Sequence, residues 1–344
     1  MRRAFRLNCC VLALLACLLA AQSVRAQTPP ADFYRGKTVT LIVGYSAGGG
    51  YDTYARVLAR HIGKHIPGNP AVVVQNMPGA GSLRAAQHLF SLAPKDGTAL
   101  GTFGRQMGIA PLLGTSAQYD GTKFNWIGSI TNEVSTCVAW HTATVKTWAD
   151  MLEKTFSVGG EGSGSDPDVY AALLKNSFGV KLRLVTGYPG TAEIALALER
   201  GEMDGRASWS WSSLKALKPD WIAEKKVNLP IQLNLNKSPE LPDVPLIMQF
   251  AQNDRQRASL KIILSRQTMG RPFMAPPGLP DDRKAALRAA FDATMRDAEF
   301  VAEAKARGQE VNPVSGAEID KLLADLYATP KDIVEETRKA IGAN

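Results

Sequence analysis

The stretch Thr38-Val-Thr-Leu-Ile-Val-Gly-Tyr-Ser-Ala-Gly-Gly-Gly-Tyr-Asp-Thr-Tyr-Ala-Arg-Val-Leu-Ala-Arg60 predicts an α/β fold. Its apolar run at 39–43 is typical of a buried strand. Three glycines at 48–50 follow, and Asp52 or Thr53 can then cap a helix. Backbone N–H groups and the positive end of a helix dipole would converge beyond this strand, which predicts an anion-binding site. The glycines alone are equally compatible with an ordinary tight turn.

The first 26 residues have the three parts of a secretory signal peptide. Arginines precede an apolar run at 11–21, and small residues then permit cleavage near Ala26. We therefore expect an exported, periplasmic protein. An uncleaved membrane anchor and a lipid anchor at Cys17 are the alternatives, and the apolar run is short for a membrane span.

Removal of the signal peptide changes the composition of the chain. It takes away four arginines and no acid, so the formal net charge falls from +8 to +4. The basic balance is therefore no sign of nucleic-acid binding, and we expect no such partner. Cys137 is the one cysteine that remains, which excludes an internal disulfide and a cysteine metal cluster. Its apolar neighbours Val138 and Ala139 favour buried packing over a catalytic thiol.

The mature chain divides into two regions with the same plan. Strands and helices alternate along 31–130, which predicts a parallel sheet whose ligands bind beyond the carboxyl ends of the strands. A later strand, a glycine-rich loop at 159–168 and a helix repeat the arrangement. We assign 27–130 plus 231–344 to a first lobe and 131–230 to a second. Two lobes joined in this way enclose a cleft with hinges.

An ordered set of short motifs resembles a known family. The motifs are Gly49-Gly50 with Asp52 and Ala55-Arg56, Asn76-Met-Pro-Gly-Ala-Gly81, Phe124-Asn-Trp-Ile-Gly-Ser129, Gly162-Ser-Gly-Ser165, Tyr188-Pro-Gly190, Gly201-Glu-Met-Asp204 and Ala275-Pro-Pro-Gly-Leu-Pro280. Together they cover nearly the whole mature chain and resemble the extracytoplasmic receptors of tripartite tricarboxylate transporters, also called Bug proteins.

The resemblance implies a two-lobed periplasmic binding protein of type II, an α/β fold in which each lobe is a mostly parallel sheet flanked by helices. Such a receptor captures a small carboxylate between its lobes and delivers it to the permease subunits of a membrane transporter. The resemblance also implies that the protein is not an enzyme and needs no cofactor or metal ion. We expect it to be a monomer.

The resemblance further implies that backbone amides and ordered water hold the ligand carboxylate. The positions carried over are Tyr45, Ser46, Ala47, Gly48, Gly49, Asp52, Ser163, Gly164, Ser165, Tyr188, Gly190, Thr191 and Asp204. Arg105 and Trp209 complete the predicted site, although neither matches a family pattern. A second departure is Asp166-Pro167, which stands where the family commonly has a histidine.

Several of these residues have two interpretations. Arg105 follows the third strand, where its guanidinium suits a carboxylate, but a surface ion pair is an equal alternative. Asp52 either caps the helix and orients the loop or contacts the ligand, and an anion there would repel it. Trp209 and Trp211 either contact a ligand ring or tail, or one packs in the core while the other is exposed.

Two competing functions are an exported hydrolase with a serine at 163–165 and a ligand sensor for a signalling partner. The phosphate-loop motif Gly-x-x-x-x-Gly-Lys is missing from the sequence. His61 and His65 have the i, i+4 spacing of zinc ligands. A third ligand is not evident, so a solvated helix face is the preferred interpretation.

Overall fold

The computed structural model describes residues 28–114 and 117–343. The predictions of a signal peptide, of cleavage near Ala26 and of a lipid anchor at Cys17 lie outside these residues. Within the described ranges, every helix is too short or too polar to cross a membrane.

The strands of the described chain, in order, are β1 (Thr38–Val43), β2 (Ala71–Asn76), β3 (Ala99–Thr102), β4 (Asn125–Ser129), β5 (Ser135–Trp140), β6 (Phe156–Gly159), β7 (Leu182–Val185), β8 (Gly205–Ser210), β9 (Val227–Asn228), β10 (Gln232–Leu233), β11 (Pro272–Ala275) and β12 (Val314–Ser315). Most lie within a residue or two of a predicted strand. β8, β9 and β12 are the exceptions. The sequence of β8, Gly-Arg-Ala-Ser-Trp-Ser, lacks the aliphatic run by which the other strands were predicted.

The α-helices are α1 (Pro30–Tyr34), α2 (Gly50–Ile62), α3 (Leu83–Ser91), α4 (Trp148–Glu153), α5 (Asp166–Phe178), α6 (Thr191–Glu199), α7 (Trp211–Leu217), α8 (Pro219–Ala223), α9 (Asp254–Ser265), α10 (Asp281–Arg296), α11 (Ala298–Ala306), α12 (Gly316–Tyr327) and α13 (Lys331–Ala340). Short 3-10 turns connect several of them, including one at Arg105–Gly108.

The two lobes are built on two separate sheets. The first has the order β12–β4–β11–β3–β1–β2, and the second has the order β10–β5–β8–β6–β7 with β9 paired to β5. In the first sheet β1 is parallel to β2 and β3, and in the second β6 is parallel to β7 and β8. The strand–helix–strand units predicted from the sequence therefore form the parallel part of each sheet.

The remaining strands are antiparallel, so both sheets are mixed and not mostly parallel as expected. β11 is antiparallel to β3 and β4, and β5 is antiparallel to β8. β5 and β11 are the strands by which the chain enters each sheet after crossing from the other one. A strand that enters from the opposite side has no crossover helix to turn it parallel to its neighbours.

Strand pairing and helix packing give evidence on which residues belong to each lobe. β10 pairs with β5 of the second sheet, although the predicted division places 231–344 in the first lobe. Helix α9 packs on α13, and α13 packs on α5 of the second lobe. The chain rejoins the first sheet only at β11. The exact division remains a prediction, and these contacts favour a return crossing near residue 270.

Helix α2 lies against the first sheet as its apolar spacing predicts. Tyr54, Val57 and Leu58 are all buried, and the helix packs on β1 and β2. The helix begins at Gly50, and its N-cap is Gly49, three to four residues before the predicted caps Asp52 and Thr53. Asp52 and Thr53 therefore lie in the first turn and not at the cap, because the glycine loop itself continues into helical conformation.

Helix α10 covers the opposite end of the first sheet, where Phe291 is fully buried against β4 and β11. We expect Phe291→Ala to lower the free energy of unfolding by about 3–5 kcal/mol, because the lost ring leaves a cavity that the mixed sheet cannot close. Urea denaturation measures this loss. Leu92→Ala is the control, since Leu92 is 75% exposed and its truncation should change stability by no more than about 0.5 kcal/mol. Equal losses in the two variants would contradict the predicted core.

Candidate functional site

The candidate site is a small cavity between the carboxyl ends of the strands of both sheets. Its volume is about 30 Å³, room for about one or two water molecules when the lobes are in contact. The wall consists of Tyr45, Gly49, Gly50, Tyr51, Arg105, Glu161, Asp166, Thr191, Arg206, Ser208, Trp209, Ser210, Ser213 and Arg271. Both lobes contribute, so a ligand in the cavity would contact residues from each.

Arg105 reaches the cavity from the turn that follows β3. It is 2% exposed, and its Nε and Nη2 atoms each lie 2.7 Å from Oδ2 of Asp166 in the second lobe. Its Nη2 also donates to the hydroxyl of Ser135 at 2.9 Å. Arg105 therefore faces the cleft, and the ion pair it makes is buried between the lobes and not on the surface.

The ion pair keeps both partners charged despite their burial. Burial by itself would lower the pKa of Arg105 and raise that of Asp166. The mutual attraction and the other charges nearby together outweigh burial in each case: the pKa of Arg105 lies above its ordinary value, and the pKa of Asp166 lies below its own. Arg266, whose Nε lies 3.4 Å from Oδ1 of Asp166, adds to the second effect.

A second buried pair, Arg206 with Glu161, belongs to the second lobe. Nη2 of Arg206 lies 2.6 Å from Oε1 of Glu161, and Nη1 donates to the hydroxyl of Thr191 at 2.8 Å. Burial raises the pKa of Glu161 above its ordinary value, and the charge of Arg206 offsets only part of this effect. Arg206, Ser208 and Ser210 alternate along β8, which places them on one face of the strand.

A third buried arginine, Arg271, lies just before β11 where the chain re-enters the first sheet. Its Nη2 lies 3.2 Å from Oε2 of Glu133 and donates to the hydroxyl of Ser213 at 2.6 Å. The guanidinium also packs over the rings of Tyr51 and Tyr54, 4.9 and 5.1 Å from their centroids. Charge pairing and ring contacts together hold this cation in an apolar setting.

Several buried donors in the cavity wall have no hydrogen-bond partner among the described residues. They are Arg105 Nη1, Arg206 Nε, Arg271 Nε, Trp209 Nε1 and the hydroxyl of Ser208. A buried donor left unpaired costs about 1–3 kcal/mol, so a group of them in one cavity needs an explanation. A ligand that carries acceptor oxygens would pair with these donors.

The lobes contact each other around the rim of the cavity. The backbone N–H of Gly81 in the first lobe donates to the carbonyl of Glu161 in the second at 3.0 Å. The hydroxyl of Ser46 donates to Glu193 at 2.9 Å across another part of the cleft. The turn around Gly81 is tightly wound, since Ala80 and Ser82 also have positive φ angles of 48° and 83°. The structure is therefore the closed arrangement of the two lobes.

The predicted site residues separate into two groups. Those in the cavity wall are Tyr45, Gly49, Arg105, Thr191 and Trp209. Those outside it are Ser46, Ala47, Gly48, Asp52, Ser163, Gly164, Ser165, Tyr188, Gly190 and Asp204. Contact of any of them with a ligand stays a prediction. The wall residues not predicted as site residues include all the acids and two of the three arginines, among them Glu161, Asp166, Arg206 and Arg271.

Asp52 and the glycine–serine loop have structural partners. The carboxylate of Asp52 accepts from the backbone N–H of Gly48 at 2.8 Å, from Arg56 at 2.9 Å and from Asn76 at 2.9 Å. Asp52 thus organises the glycine loop, but it does so from the first turn of α2 and not from the N-cap position. Ser165 donates to Asp168 at 2.6 Å, whereas Ser163 is exposed.

Three further predictions concern residues away from the cavity wall. Asp204 accepts from the backbone N–H of Ser157 at 2.7 Å, which ties the start of β8 to β6. Cys137 is fully buried in the core, and burial raises the pKa of its thiol to about 12, which opposes a nucleophilic role. Trp211 was expected to be exposed if Trp209 packs in the core, but both are buried.

The histidines on α2 are paired with carboxylates of the helices beside them. His61 contacts Glu303 and His65 contacts Asp297, each at 2.8 Å. Oxygens of Asp297 and Glu299 lie near His61, but Lys64 already forms ion pairs with both carboxylates at 2.6 and 2.5 Å. The arrangement is that of an ion-pair network between helices.

Two lobes that close over a cavity at the carboxyl ends of their strands define the class of periplasmic binding proteins. Residues 54–338 match the family described as "Tripartite tricarboxylate transporter family receptor", so the chain belongs to that family. The resemblance seen in the sequence motifs is thereby confirmed. Members of this family are solute-binding receptors and not enzymes.

Similar proteins with known sequences include one of Agrobacterium vitis, the "UPF0065 protein in the TAR-I ttuE-ttuC' intergenic region". It is 27% identical over 240 residues, which cover 68% of this chain and 67% of that protein. A related protein of Cupriavidus necator, the "UPF0065 protein in gbd 5'region", is 39% identical over 108 residues, 31% of this chain and 29% of its own length.

Solved structures confirm the two-lobed fold. The periplasmic binding protein BugD has a TM-score of 0.71 at 21% identity, covering 89% of this chain and 98% of its own. MatC from Rhodopseudomonas palustris, solved with bound malate, has a TM-score of 0.68 at 22% identity, covering 87% and 99%. An R. palustris protein solved with adipate has a TM-score of 0.69 at 18% identity, covering 89% and 98%.

Proposed function

We propose that this protein captures a small carboxylate in the cavity between its lobes and delivers it to the permease subunits of a membrane transporter. The observation that carries the proposal is the set of unpaired buried donors on Arg105, Arg206 and Arg271. Guanidinium groups form charge-assisted hydrogen bonds with carboxylates, and a closed cavity strengthens them by excluding water.

The position of the donors explains how binding would be coupled to closure. Arg105 and Arg271 extend from the first lobe or its edge, whereas Arg206 lies on β8 of the second lobe. A carboxylate that pairs with donors of both lobes favours the closed arrangement by its differential affinity for it. The malate and adipate bound in two proteins of the same fold support a carboxylate as the ligand class.

The proposal has two further parts. The protein is exported to the periplasm with its signal peptide removed near Ala26, and ligand binding leads to transport. The family match supports a transporter as the partner, and the sequence of the first 26 residues supports export to the periplasm. Signalling through a sensor protein would use the same closed receptor, and a growth test on the ligand with and without the permease genes distinguishes these outputs.

Ligand-dependent thermal stability tests the binding step. At a concentration one hundred times its Kd, a carboxylate should stabilise the protein by about 2.7 kcal/mol and raise the Tm by several degrees. The variant Arg206→Met should lose this shift because it removes the donor of the second lobe. Arg200→Met is the matched control, since Arg200 lies on the same lobe and its side chain is 69% exposed.

The results that would contradict the receptor proposal are equally clear. Stabilisation by neutral compounds alone would exclude a carboxylate ligand. Catalytic turnover that Ser163→Ala or Ser165→Ala abolishes would instead indicate a hydrolase. An unchanged shift in Arg206→Met would show that the ligand binds elsewhere.

A further inference from the structure

The charges in the cavity wall nearly cancel. Three arginines, Arg105, Arg206 and Arg271, face two acids, Glu161 and Asp166. All five are less than a tenth exposed, so solvent screens their interactions weakly. The wall by itself therefore presents one net positive charge to a ligand.

The charged side chains directly behind the wall do not add to its net positive charge. Glu133 pairs with Arg271, and Arg266 pairs with Asp166 on the side away from Arg105. Asp168 accepts from the backbone N–H of Glu161 at 2.8 Å and adds a further negative charge behind the loop. With this layer included, four arginines oppose four carboxylates. The net charge is therefore +1 for the wall alone and zero when this second layer is counted with it.

A single carboxylate matches the one net positive charge of the wall itself, and a second one does not. The first can use the unpaired donors of the three arginines. A second would enter a closed cavity beside Glu161 and Asp166 with no cation left to neutralise it, and an uncompensated buried charge is strongly unfavourable.

We propose that Glu161 makes the site selective for ligands with one net negative charge, such as monocarboxylates and half-amides, over the dicarboxylates of similar shape. This inference rests on the proposed function, because it takes the ligand to be a carboxylate bound in this cavity. It goes beyond that function by specifying the charge of the ligand. It also distinguishes this protein from the two proteins of the same fold solved with malate and adipate.

The contacts of Glu161 explain why this residue would control the charge. Its Oε1 atom accepts from Nη2 of Arg206 at 2.6 Å and from the hydroxyl of Thr191 at 3.2 Å. Glu161 thus occupies one arm of the guanidinium and leaves only Nε unpaired. Without its charge, the hydrogen bond that Glu161 accepts from Nη2 of Arg206 would be a weaker, neutral one. A ligand carboxylate could then compete for Nη2 and bind it together with Nε in a bidentate manner.

Matched ligand pairs test the proposal in the native protein. Succinate with succinamate, glutarate with glutaramate, and adipate with adipamate differ in one group, a carboxylate in the first member and an amide in the second. Isothermal titration calorimetry of the purified protein should give the half-amide at least about tenfold tighter binding in the pair that fits between the lobes. Acetate, butyrate and benzoate extend the series to simple monocarboxylates.

The variant Glu161→Gln keeps the shape of the side chain and removes its charge. We expect its affinity for the dicarboxylate of the same pair to rise by about tenfold or more, so that the preference is reversed. Glu202→Gln is the matched control, because it makes the same change on an exposed side chain of the second lobe and should leave the preference as it is.

Each outcome decides a separate point. Tighter binding of a dicarboxylate to the native protein overturns the charge selectivity and leaves the carboxylate receptor standing. A half-amide preference that persists in Glu161→Gln overturns the role of Glu161. If none of the named carboxylates binds, the proposed function fails and this inference fails with it. If Glu161→Gln does not fold, the comparison in the native protein still decides the selectivity.

Discussion

Replacement of Arg105 by methionine should lower the free energy of unfolding by about 3–5 kcal/mol, the range seen when one partner of a buried ion pair is removed. Arg105 is almost completely buried and holds Asp166 at 2.7 Å across the cleft. Without the guanidinium, Asp166 keeps only the longer contact to Arg266 at 3.4 Å. Urea denaturation of the purified protein measures the loss.

Two further variants test whether the loss of stability in Arg105→Met comes from the buried ion pair. Arg35→Met removes an arginine from a pair of similar length, since Arg35 lies 3.1 Å from Asp32, but both side chains are more than half exposed. Its loss should not exceed about 1 kcal/mol. The double variant Arg105→Met with Asp166→Asn should recover part of the stability, because no charge is then left unpaired. Equal losses for Arg105→Met and Arg35→Met would refute the buried pair.

Replacement of Gly81 by alanine should weaken ligand binding by about tenfold or more while the protein stays folded. Gly81 has a φ of +59°, and a Cβ atom there would lie 2.7 Å from Cβ and 2.9 Å from the backbone nitrogen of Ser165. Because Ser165 belongs to the opposite lobe, this clash exists only when the lobes are closed. The variant should favour an open arrangement, and tight binding requires closure.

The affinity for a carboxylate and the radius of gyration in solution measure this effect together. Gly36→Ala is the matched control: its φ is +71°, but a Cβ atom there meets nothing within 4 Å, and the residue lies before β1, at the end away from the cavity. Both variants pay a similar backbone strain of about 1–2 kcal/mol in stability. If Gly36→Ala loses affinity to the same degree, strain and not the clash between the lobes explains the result.

The sequence by itself determined the parts of the fold that are encoded locally. β1 and α2 followed from an apolar run, a glycine loop and helical spacing within one stretch of about 25 residues. For Arg105 the sequence left two equal interpretations, a place at the cleft after a central strand and a surface ion pair, and the structure places it at the cleft. The ordered motifs also identified the family, because each is a short segment whose backbone conformation depends on its own residues.

The sequence determined less well where these strands and helices begin and end. The sequence placed the start of α2 at Asp52 or Thr53, whereas the structure begins it at Gly50. The side chain of Asp52 satisfies the N–H of Gly48 from within the first turn. A residue that favours the N-cap can make the same kind of contact from a neighbouring position, and the sequence does not distinguish the two.

Only the tertiary structure decided the chemistry of the cavity. The charges of the cavity come from three separate segments, which contain Arg206, Arg271, and Glu161 with Asp166. Each looks like a surface charge when its own segment is read alone. A charged side chain can be buried only when its partner is placed against it, and here the partners approach through sheet pairing and lobe closure. The local pattern therefore determined where the cavity lies, whereas its charge depends on contacts between segments that no local pattern contains.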